Sequence, residues 1–574
     1  MKGQTDLSVE GIWDSLTGNN NCLGCHGILL ILKALANFGD DTFVGALQKL
    51  CGAASSEDED VCNGTLALEG PVIAASLRDL TLGSKTAQVF CTTLLGLCDY
   101  PEVEPYSVPM PPKTITSPLP ASVSSNGTKS SPFKIAHFSD IHIDPLYVTG
   151  SNANCSKPMC CRPYTPADEP GNNDFPAGPF GDHNCGAPRG LEQSMYAAIN
   201  ALSPDFALFT GDIVDHAIWN TAVAQNSAEI SMAYQHMSDA GLQVYGTVGN
   251  HEMSPANAIP PTPRRRLAVA SVKTPRNGLR VISVSTNFWY TLNFWLYKDV
   301  QRDPSDHLKW LVGELDATEK AGERVFLVGH MPMGISDALH DGPNYFDQIV
   351  NRYKSTIAGL FFGHTHLDHF QFSYSNYANR TASNAVATSY IAPSMTPLSG
   401  MPAFRIYTID PTTFGILDIE TYVADMADPT CQTAGPVWKR SFAAKETFGA
   451  LLDTPVAADA GLTPASWHNV TVALEKDPAT FEAYWARRTR GWDVPACDDA
   501  CRKSEICQLR AARSQDNCFV PTPDMSFGIR SEGGTRKPAE CDRSVVRDTI
   551  GSLAVRKGLV ELLEALLKEH QTRK

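Results

Sequence analysis

Polar clusters of aspartate, asparagine and histidine recur along this sequence, each directly after a run of apolar residues. The seven side chains that could act together are Asp140, His142, Asp212, Asn250, His330, His364 and His366. The apolar runs before them have the composition of strands, and the carboxyl ends of strands in an open α/β sheet line a shared crevice. We therefore expect side chains from distant parts of the chain to meet at one place.

The chemistry of this set points to metal ions. Its donors are carboxylate and amide oxygens and imidazole nitrogens, with no thiolate. Such donors suit first-row divalent cations, and the set is too large for one tetrahedral zinc, so two metals are implied. A pair of cations about 4 Å apart can share a bridging carboxylate and activate a water as a nucleophile near neutral pH. Phosphate esters are the natural substrates because their anionic oxygens neutralise the cations.

The order of the motifs carries a family resemblance. Asp-x-His is followed by Gly-Asp-x-x-x-His (211–216), Gly-Asn-His-Glu (249–252), Gly-His (329–330) and Gly-His-Thr-His (363–366). In this order the motifs resemble those of the calcineurin-like metallophosphoesterases. The resemblance implies a metallophosphoesterase β-sandwich flanked by helices, with two Zn²⁺ per chain. It assigns one metal to Asp140, His142, Asp212 and His366, and the other to Asp212, Asn250, His330 and His364, with Asp212 bridging.

Two further histidines in these motifs have no metal role. His216 follows the expected bridging Asp212 by four residues, and His251 is adjacent to Asn250. A departing alkoxide must be protonated, and imidazole has a suitable pKa for this near physiological or mildly acidic pH. We expect His251 to be the general acid and His216 to orient the phosphate or share the proton. The alternative is that both are structural histidines.

Composition and charge limit the function classes. The chain has 574 residues, 43% of them hydrophobic, with a formal net charge of −15. Clustered cations carry affinity for nucleic acids, so a nucleic-acid binder is not expected. No stretch reaches the roughly 18 consecutive apolar residues of a transmembrane helix. We expect a monomer without a transmembrane span.

Changes in composition divide the chain into four segments. Residues 1–100 show helical periodicity, 101–132 form a Pro-rich linker, and 133–418 alternate apolar β-rich runs with helices. Residues 419–574 are predicted to be a helical, disulfide-containing region that ends in one amphipathic helix from about Val545 to His570. The predicted fold class is therefore α/β, with an all-α module before the sandwich and a helical region after it.

Cysteines and glycosylation sequons indicate the compartment. The chain has 16 cysteines, and Asn-x-Ser/Thr sequons begin at Asn63, Asn126, Asn154, Asn379 and Asn469. Together they favour an oxidising secretory compartment, and we expect a secreted or lysosomal or vacuolar protein. Residues 1–20 lack the apolar core of a signal peptide, which predicts either a trimmed leader or an incomplete start.

The amino-terminal segment resembles the saposin fold, a helical lipid-binding clasp tied by three disulfides. Six cysteines alone permit 15 pairings. The resemblance implies Cys22–Cys98, Cys25–Cys91 and Cys51–Cys62. An apolar stripe that includes Ile28, Ile31 and Leu35 could meet lipid tails and dock the chain on a sphingolipid or phospholipid membrane surface. The alternative is an ordinary docking domain whose stripe is buried.

The whole arrangement resembles the acid sphingomyelinase family. That resemblance implies hydrolysis of sphingomyelin to ceramide and phosphocholine, and the further disulfides Cys155–Cys160, Cys161–Cys185, Cys497–Cys501 and Cys507–Cys518. It assigns no partner to Cys431 or Cys541, and a bond between these two would follow only because they are the cysteines left over. The sequence departs from the family between Glu252 and Leu279, where members usually carry a longer helical insert. Alternatives are a phosphodiesterase acting on nucleotides or other phospholipids, and a non-catalytic lipid-presenting saposin protein.

Overall fold

The architecture comes from a computed structural model of the chain. It describes residues 21–54, 57–113, 131–261, 269–398, 400–523 and 544–572. Parts of the predictions therefore lie outside the described residues. These are Asn126, Cys541, residues 1–20, most of the Pro-rich linker beyond 113, and residues 262–268 of the stretch after Glu252.

A sandwich of two six-stranded sheets forms the centre of the molecule. The first sheet has the order β12-β11-β10-β1-β2-β3 and the second β4-β5-β6-β7-β9-β8. The strands are β1 Phe133–Phe138, β2 Phe206–Phe209, β3 Val244–Gly246, β4 Ala270–Lys273, β5 Leu279–Ser283, β6 Arg324–Val328, β7 Ile357–Phe362, β8 His369–Tyr374, β9 Ala385–Ile391, β10 Ala403–Ile409, β11 Ile416–Ala424 and β12 Trp438–Ala443. The predicted α/β fold class is confirmed.

The strands that lead into the polar clusters run parallel to one another within each sheet, and all of them except the half-buried β3 are largely buried. In the first sheet β1 pairs with β2 and β2 with β3, and in the second β5, β6, β7 and β9 are parallel neighbours. Side chains such as Ile135 and Phe206 from one sheet pack against Phe326 and Phe361 from the other. Parallel strands covered on both faces have near-continuous apolar sequences, which explains the runs seen in the sequence. Their carboxyl ends therefore meet at one edge of the sandwich.

Helices cover both sheets and build the two ends of the chain. Numbering those of seven residues or more, they are α1 Cys22–Ala36, α2 Asp40–Ala54, α3 Glu59–Asp79, α4 Lys85–Thr93, α5 Arg189–Ala201, α6 Val223–Asp239, α7 His307–Ala321, α8 Asp341–Arg352, α9 Pro464–Lys476, α10 Pro478–Arg488, α11 Asp499–Leu509, α12 Val545–Gly551 and α13 Lys557–Thr572.

Two predicted boundaries differ from the structure. The single final helix expected from Val545 to His570 is broken, because a short 3-10 turn at Ser552–Ala554 separates α12 from α13. The first sheet also continues beyond residue 418, since β11 pairs with β12 through to Ala443. The start of the predicted carboxyl-terminal region is therefore still part of the sandwich.

The four amino-terminal helices enclose the disulfides Cys22–Cys98, Cys25–Cys91 and Cys51–Cys62. These are the pairs that the saposin resemblance implies. The apolar stripe predicted to meet lipid does not lie on the surface, because Ile28 and Ile31 are only 4% and 5% exposed. Leucines of α13, among them Leu563, share one apolar core with this stripe. The stripe is therefore buried in this conformation, because the carboxyl-terminal helix packs on its face, and direct contact of the stripe with lipid stays a prediction.

The described part of the linker is extended and lies along α8. The backbone N–H of Glu104 donates to Asp341, and Gln348 donates to the carbonyl of Tyr106. These contacts tie the amino-terminal helices to the sandwich. Within the described ranges, no helix combines the length and the apolar character needed to cross a bilayer.

Candidate metal centre

The convergence expected from the sequence is present at the edge where the parallel strands end. Asp140, Asp212, His364 and His366 all have positive φ angles, between 52° and 69°, and His142 has φ 40°. Such angles are uncommon outside glycine, and they cluster at functional sites where surrounding structure holds the strained backbone. The strained turns aim these side chains at each other.

One group of donors joins the ends of β1 and β7. His142 Nε2 lies 3.1 Å from His366 Nε2, which in turn lies 3.3 Å from Asp140 Oδ1. All three side chains are buried, and their ligand atoms lie within 4.8 Å of one another. Three donors around one point, in a shielded site, fit the coordination of a single cation.

A second group lies beside the first and shares a carboxylate with it. Asp212 Oδ2 is 3.2 Å from His330 Nε2, and the same oxygen is 3.6 Å from His142 Nε2 in the first group. Asn250 Oδ1 lies 2.8 Å from His330 Nε2 and 3.0 Å from His364 Nδ1. Asp212 therefore reaches both groups, as a bridging carboxylate must.

The hydrogen bonds around the centre show why these residues fit cations. His330 Nδ1 donates to the carbonyl of Thr210 at 2.7 Å, so Nε2 is the nitrogen left to bind a positive charge, either a proton or a metal ion. Asn250 Nδ2 donates to Asn257, so its Oδ1 faces that nitrogen. Two electron-pair acceptors at 2.8 Å repel each other unless a positive charge lies between them. His142 Nδ1 likewise pairs with the carbonyl of Val214, an arrangement typical of metal-binding histidines.

The electrostatics agree with a centre that attracts cations. Burial would raise the pKa of Asp140, but His366 and His330 outweigh it and lower that pKa to about 2. Burial would lower the pKa of His330, but Asp212 and Asp140 outweigh it and raise that pKa to about 10. Negative charge is thus retained in a buried site, where it needs a compensating positive charge.

Both of the extra histidines lie at the rim of the first group. The His216 ring lies against that of His142, with ring centroids 3.7 Å apart, and is 5.1 Å from that of His251. His251 Nδ1 pairs with the carbonyl of Asp215 at 3.1 Å. Neither ring nitrogen of His216 has a hydrogen-bond partner in the described part of the chain. The structure thus brings together all nine predicted site residues.

Two positioning contacts were not predicted. Glu252 accepts hydrogen bonds from the backbone N–H groups of Asp212, Ile213 and Gly249, and so joins the loops after β2 and β3. Its position in the Gly-Asn-His-Glu motif is the sequence feature that could have identified Glu252 as a residue of the centre. Arg162 binds two buried carboxylates beside the centre, and nothing in its sequence neighbourhood marked it.

The other predicted sites are distributed over the surface and the ends of the sandwich. Asn154, Asn379 and Asn469 are exposed, and Asn63 is half-buried on α3. The structure contains the disulfides Cys155–Cys160, Cys161–Cys185, Cys497–Cys501 and Cys507–Cys518. Cys431 is buried and has no disulfide partner among the described residues. Cys541, the other cysteine without an assigned partner, lies outside those residues.

The fold and the clustered donors define a class of protein. Residues 133–368, which contain the predicted metal ligands, match the family model for calcineurin-like phosphoesterases. These residues therefore form a metallophosphoesterase domain, and the two neighbouring groups of donors are a candidate binuclear metal site.

Relatives cover nearly the whole chain. Sphingomyelin phosphodiesterase of Homo sapiens is 30% identical over 556 residues, which is 89% of this chain and 84% of its own. Sphingomyelin phosphodiesterase of Bos taurus is 29% identical over 89% of this chain and 85% of its own. Sphingomyelin phosphodiesterase 1 of Caenorhabditis elegans is 27% identical over 87% and 93%. The chain belongs to the sphingomyelin phosphodiesterase family, which confirms the resemblance drawn from its motifs.

Proposed function

We propose that this chain hydrolyses sphingomyelin to ceramide and phosphocholine at the centre formed by the strand ends. The observation that carries the proposal is the shared carboxylate: one oxygen of Asp212 approaches both donor groups. Membership of the family supplies the substrate. The rival substrates, nucleotides and other phospholipids, have no specific observation in their favour.

The residues divide between two cations. Asp140, His142, His366 and Asp212 would hold one, and Asp212, Asn250, His330 and His364 the other. Their nitrogen and oxygen donors suit Zn²⁺, which we propose as the metal. When bound, such a pair neutralises phosphate oxygens and lowers the pKa of water. Around it, the carbonyls of Thr210 and Val214 fix the histidine tautomers, and Glu252 holds the loop that carries Asp212.

His251 is the proposed general acid. Its Nδ1–H donates to the carbonyl of Asp215, which fixes the orientation of the ring and leaves Nε2 as the nitrogen that gives up a proton. As the oxygen of water bonds to phosphorus, the bond from phosphorus to the ceramide oxygen breaks. The proton on His251 Nε2 then passes to that oxygen. His216, packed on His142, is placed to orient the phosphate or share the proton.

The disulfides and the amino-terminal helices indicate the compartment and the surface at which the reaction takes place. The disulfides of the described chain form and persist in oxidising compartments, so we propose a secreted or lysosomal or vacuolar location. We also propose that residues 1–100 form a saposin-like domain that brings the chain to a lipid surface. Since α13 covers the apolar stripe in this conformation, that role requires α13 to move or a different face to contact the lipid.

A substrate panel tests the proposal. Purified protein is assayed on sphingomyelin liposomes, phosphatidylcholine liposomes and ATP, each with and without a chelator. We expect phosphocholine release from sphingomyelin to exceed turnover of the other two substrates, and we expect the chelator to abolish it. Hydrolysis of ATP alone would reject the lipid substrate, and chelator-resistant hydrolysis would reject the metal centre.

A further inference from the structure

Arg162 lies beside the metal centre and is almost fully buried. Its guanidinium contacts two carboxylates at once: Nη2 is 2.7 Å from Asp144 Oδ1 and 2.7 Å from Asp215 Oδ2, and Nε is 3.0 Å from Asp144 Oδ1. The exposed fractions of the three side chains are 4%, 0% and 3%. A planar guanidinium suits such a double contact because its N–H groups have a fixed geometry.

The two carboxylates belong to different loops of the centre. Asp144 follows the predicted ligand His142 by two residues, in the loop after β1. Asp215 precedes His216 in the loop after β2, and its other oxygen accepts the N–H of Ala217. Arg162 therefore fixes the two loops relative to each other.

The Asp215 contact also extends to the proposed general acid. The main-chain carbonyl of Asp215 accepts the hydrogen bond from His251 Nδ1. Displacement of Asp215 would turn or release the His251 ring without removing any predicted metal ligand.

The backbone around Arg162 is rigid, which is what a positioning residue needs. It directly follows Cys160 and Cys161, which form disulfides with Cys155 and Cys185. The N–H of Cys161 donates to the carbonyl of Asn152, and its carbonyl accepts from Val148.

We propose that Arg162 is a positioning residue for proton transfer, acting through Asp215 on His251 and His216. The inference rests on the proposed function. A merely structural role would lower all activities together, whereas misplacement of the general acid affects only leaving groups that need a proton. The ceramide alkoxide needs one, whereas the nitrophenolate of bis(p-nitrophenyl) phosphate departs as a stable anion.

The test compares kcat/KM on these two substrates for the wild type and for Arg162→Lys, which keeps the charge but cannot bridge both carboxylates. We expect a loss of about 10- to 100-fold on sphingomyelin and less than about threefold on the aryl ester, with metal content unchanged. Arg352→Lys is the matched control, because Arg352 makes a double contact with Glu319 between α7 and α8. We expect it to change neither activity.

Three outcomes would overturn the proposal: equal losses on both substrates, no loss on either, or loss of metal. Should Arg162→Lys fail to fold, Asp215→Asn retains the carbonyl and the side-chain size, and it must give the same substrate-dependent loss. A wild type that cleaves the aryl ester and phosphatidylcholine but not sphingomyelin would reject the proposed substrate alone. The Arg162 comparison is then made with phosphatidylcholine, another alkyl ester.

Discussion

Two of the regions in which carboxylates are buried treat negative charge in opposite ways. At the strand ends, Asp140 and Asp212 are surrounded by imidazoles, and His366 and His330 keep the pKa of Asp140 near 2 despite burial. In the amino-terminal helices, Glu69 is 2% exposed, and neither of its oxygens has a hydrogen-bond partner in the described part of the chain. Burial raises the pKa of Glu69 to about 8.

The difference lies in what surrounds each group. A buried charge without a partner is costly, so an isolated carboxyl takes up a proton instead. A carboxylate stays ionised only where positive charge compensates it, which at the strand ends means histidines and the proposed cations. The strand ends are therefore suited to binding metal. The amino-terminal helices are suited to mildly acidic pH, at which the buried Glu69 is protonated.

The largest effect is expected from Asp212→Asn. The change removes the charge that both donor groups share, so both cations should be lost or misplaced. We expect sphingomyelin turnover to fall by about a thousandfold or more, with metal content reduced, as measured by elemental analysis of the purified variant.

Asp347→Asn is the matched control for Asp212→Asn. Asp347 is a buried aspartate on α8 that contacts Tyr377 and Asn351, away from the centre. We expect it to retain full metal and activity per folded molecule. An Asp212→Asn variant with normal turnover would show that the shared carboxylate is not needed.

A smaller and selective effect is expected from His251→Gln. It removes the proposed proton donor but no predicted metal ligand. We expect a loss of about 100-fold on sphingomyelin, a much smaller loss on bis(p-nitrophenyl) phosphate, and unchanged metal content. His468→Gln, which alters a buried histidine paired with Tyr374, is the control. Equal losses of His251→Gln on both substrates would contradict a proton-donor role.

The smallest effect is expected on stability, from Glu69→Gln. The folded pKa of Glu69 lies near 8, above its ordinary value of 4.5, so folding favours the protonated form. The contribution of protonated Glu69 to the free energy of unfolding is fully present below about pH 4.5 and is lost as pH rises towards 8. Glutamine stays neutral, so the variant should match the wild type at pH 4.5 and exceed it by on the order of 3 kcal/mol at pH 7.

Urea unfolding at several pH values measures this difference. Glu59→Gln, an exposed change at the start of the same helix, should leave the pH dependence of the wild type unaltered. If Glu69→Gln follows the wild type at every pH, then Glu69 is ionised in the folded chain and the contrast between the two regions fails.

The convergence of these side chains could be predicted from the sequence because the motifs that carry them are local. Each pair such as His364 and His366 directly follows a buried strand, and the rule that parallel strands end at one edge brings the motifs together. The positive φ angles at Asp140 and Asp212 could not be read from residue type, since they arise from tertiary constraint. Arg162 was missed because its partners are set by the disulfides around it.

The helical ends were predicted less well for a related reason. The period of α1 correctly indicated an apolar stripe around Ile28 and Ile31, but periodicity does not say what covers a stripe. The cover, α13, lies more than 500 residues away in sequence.

The central claim is that the strand ends hold two cations bridged by Asp212. Anomalous diffraction from crystals of the purified protein, measured at the zinc edge, tests it most directly. We predict two anomalous peaks, one beside Asp140, His142 and His366 and one beside Asn250, His330 and His364, with Asp212 between them. A single peak, or no peak, in crystals of active protein would contradict the account.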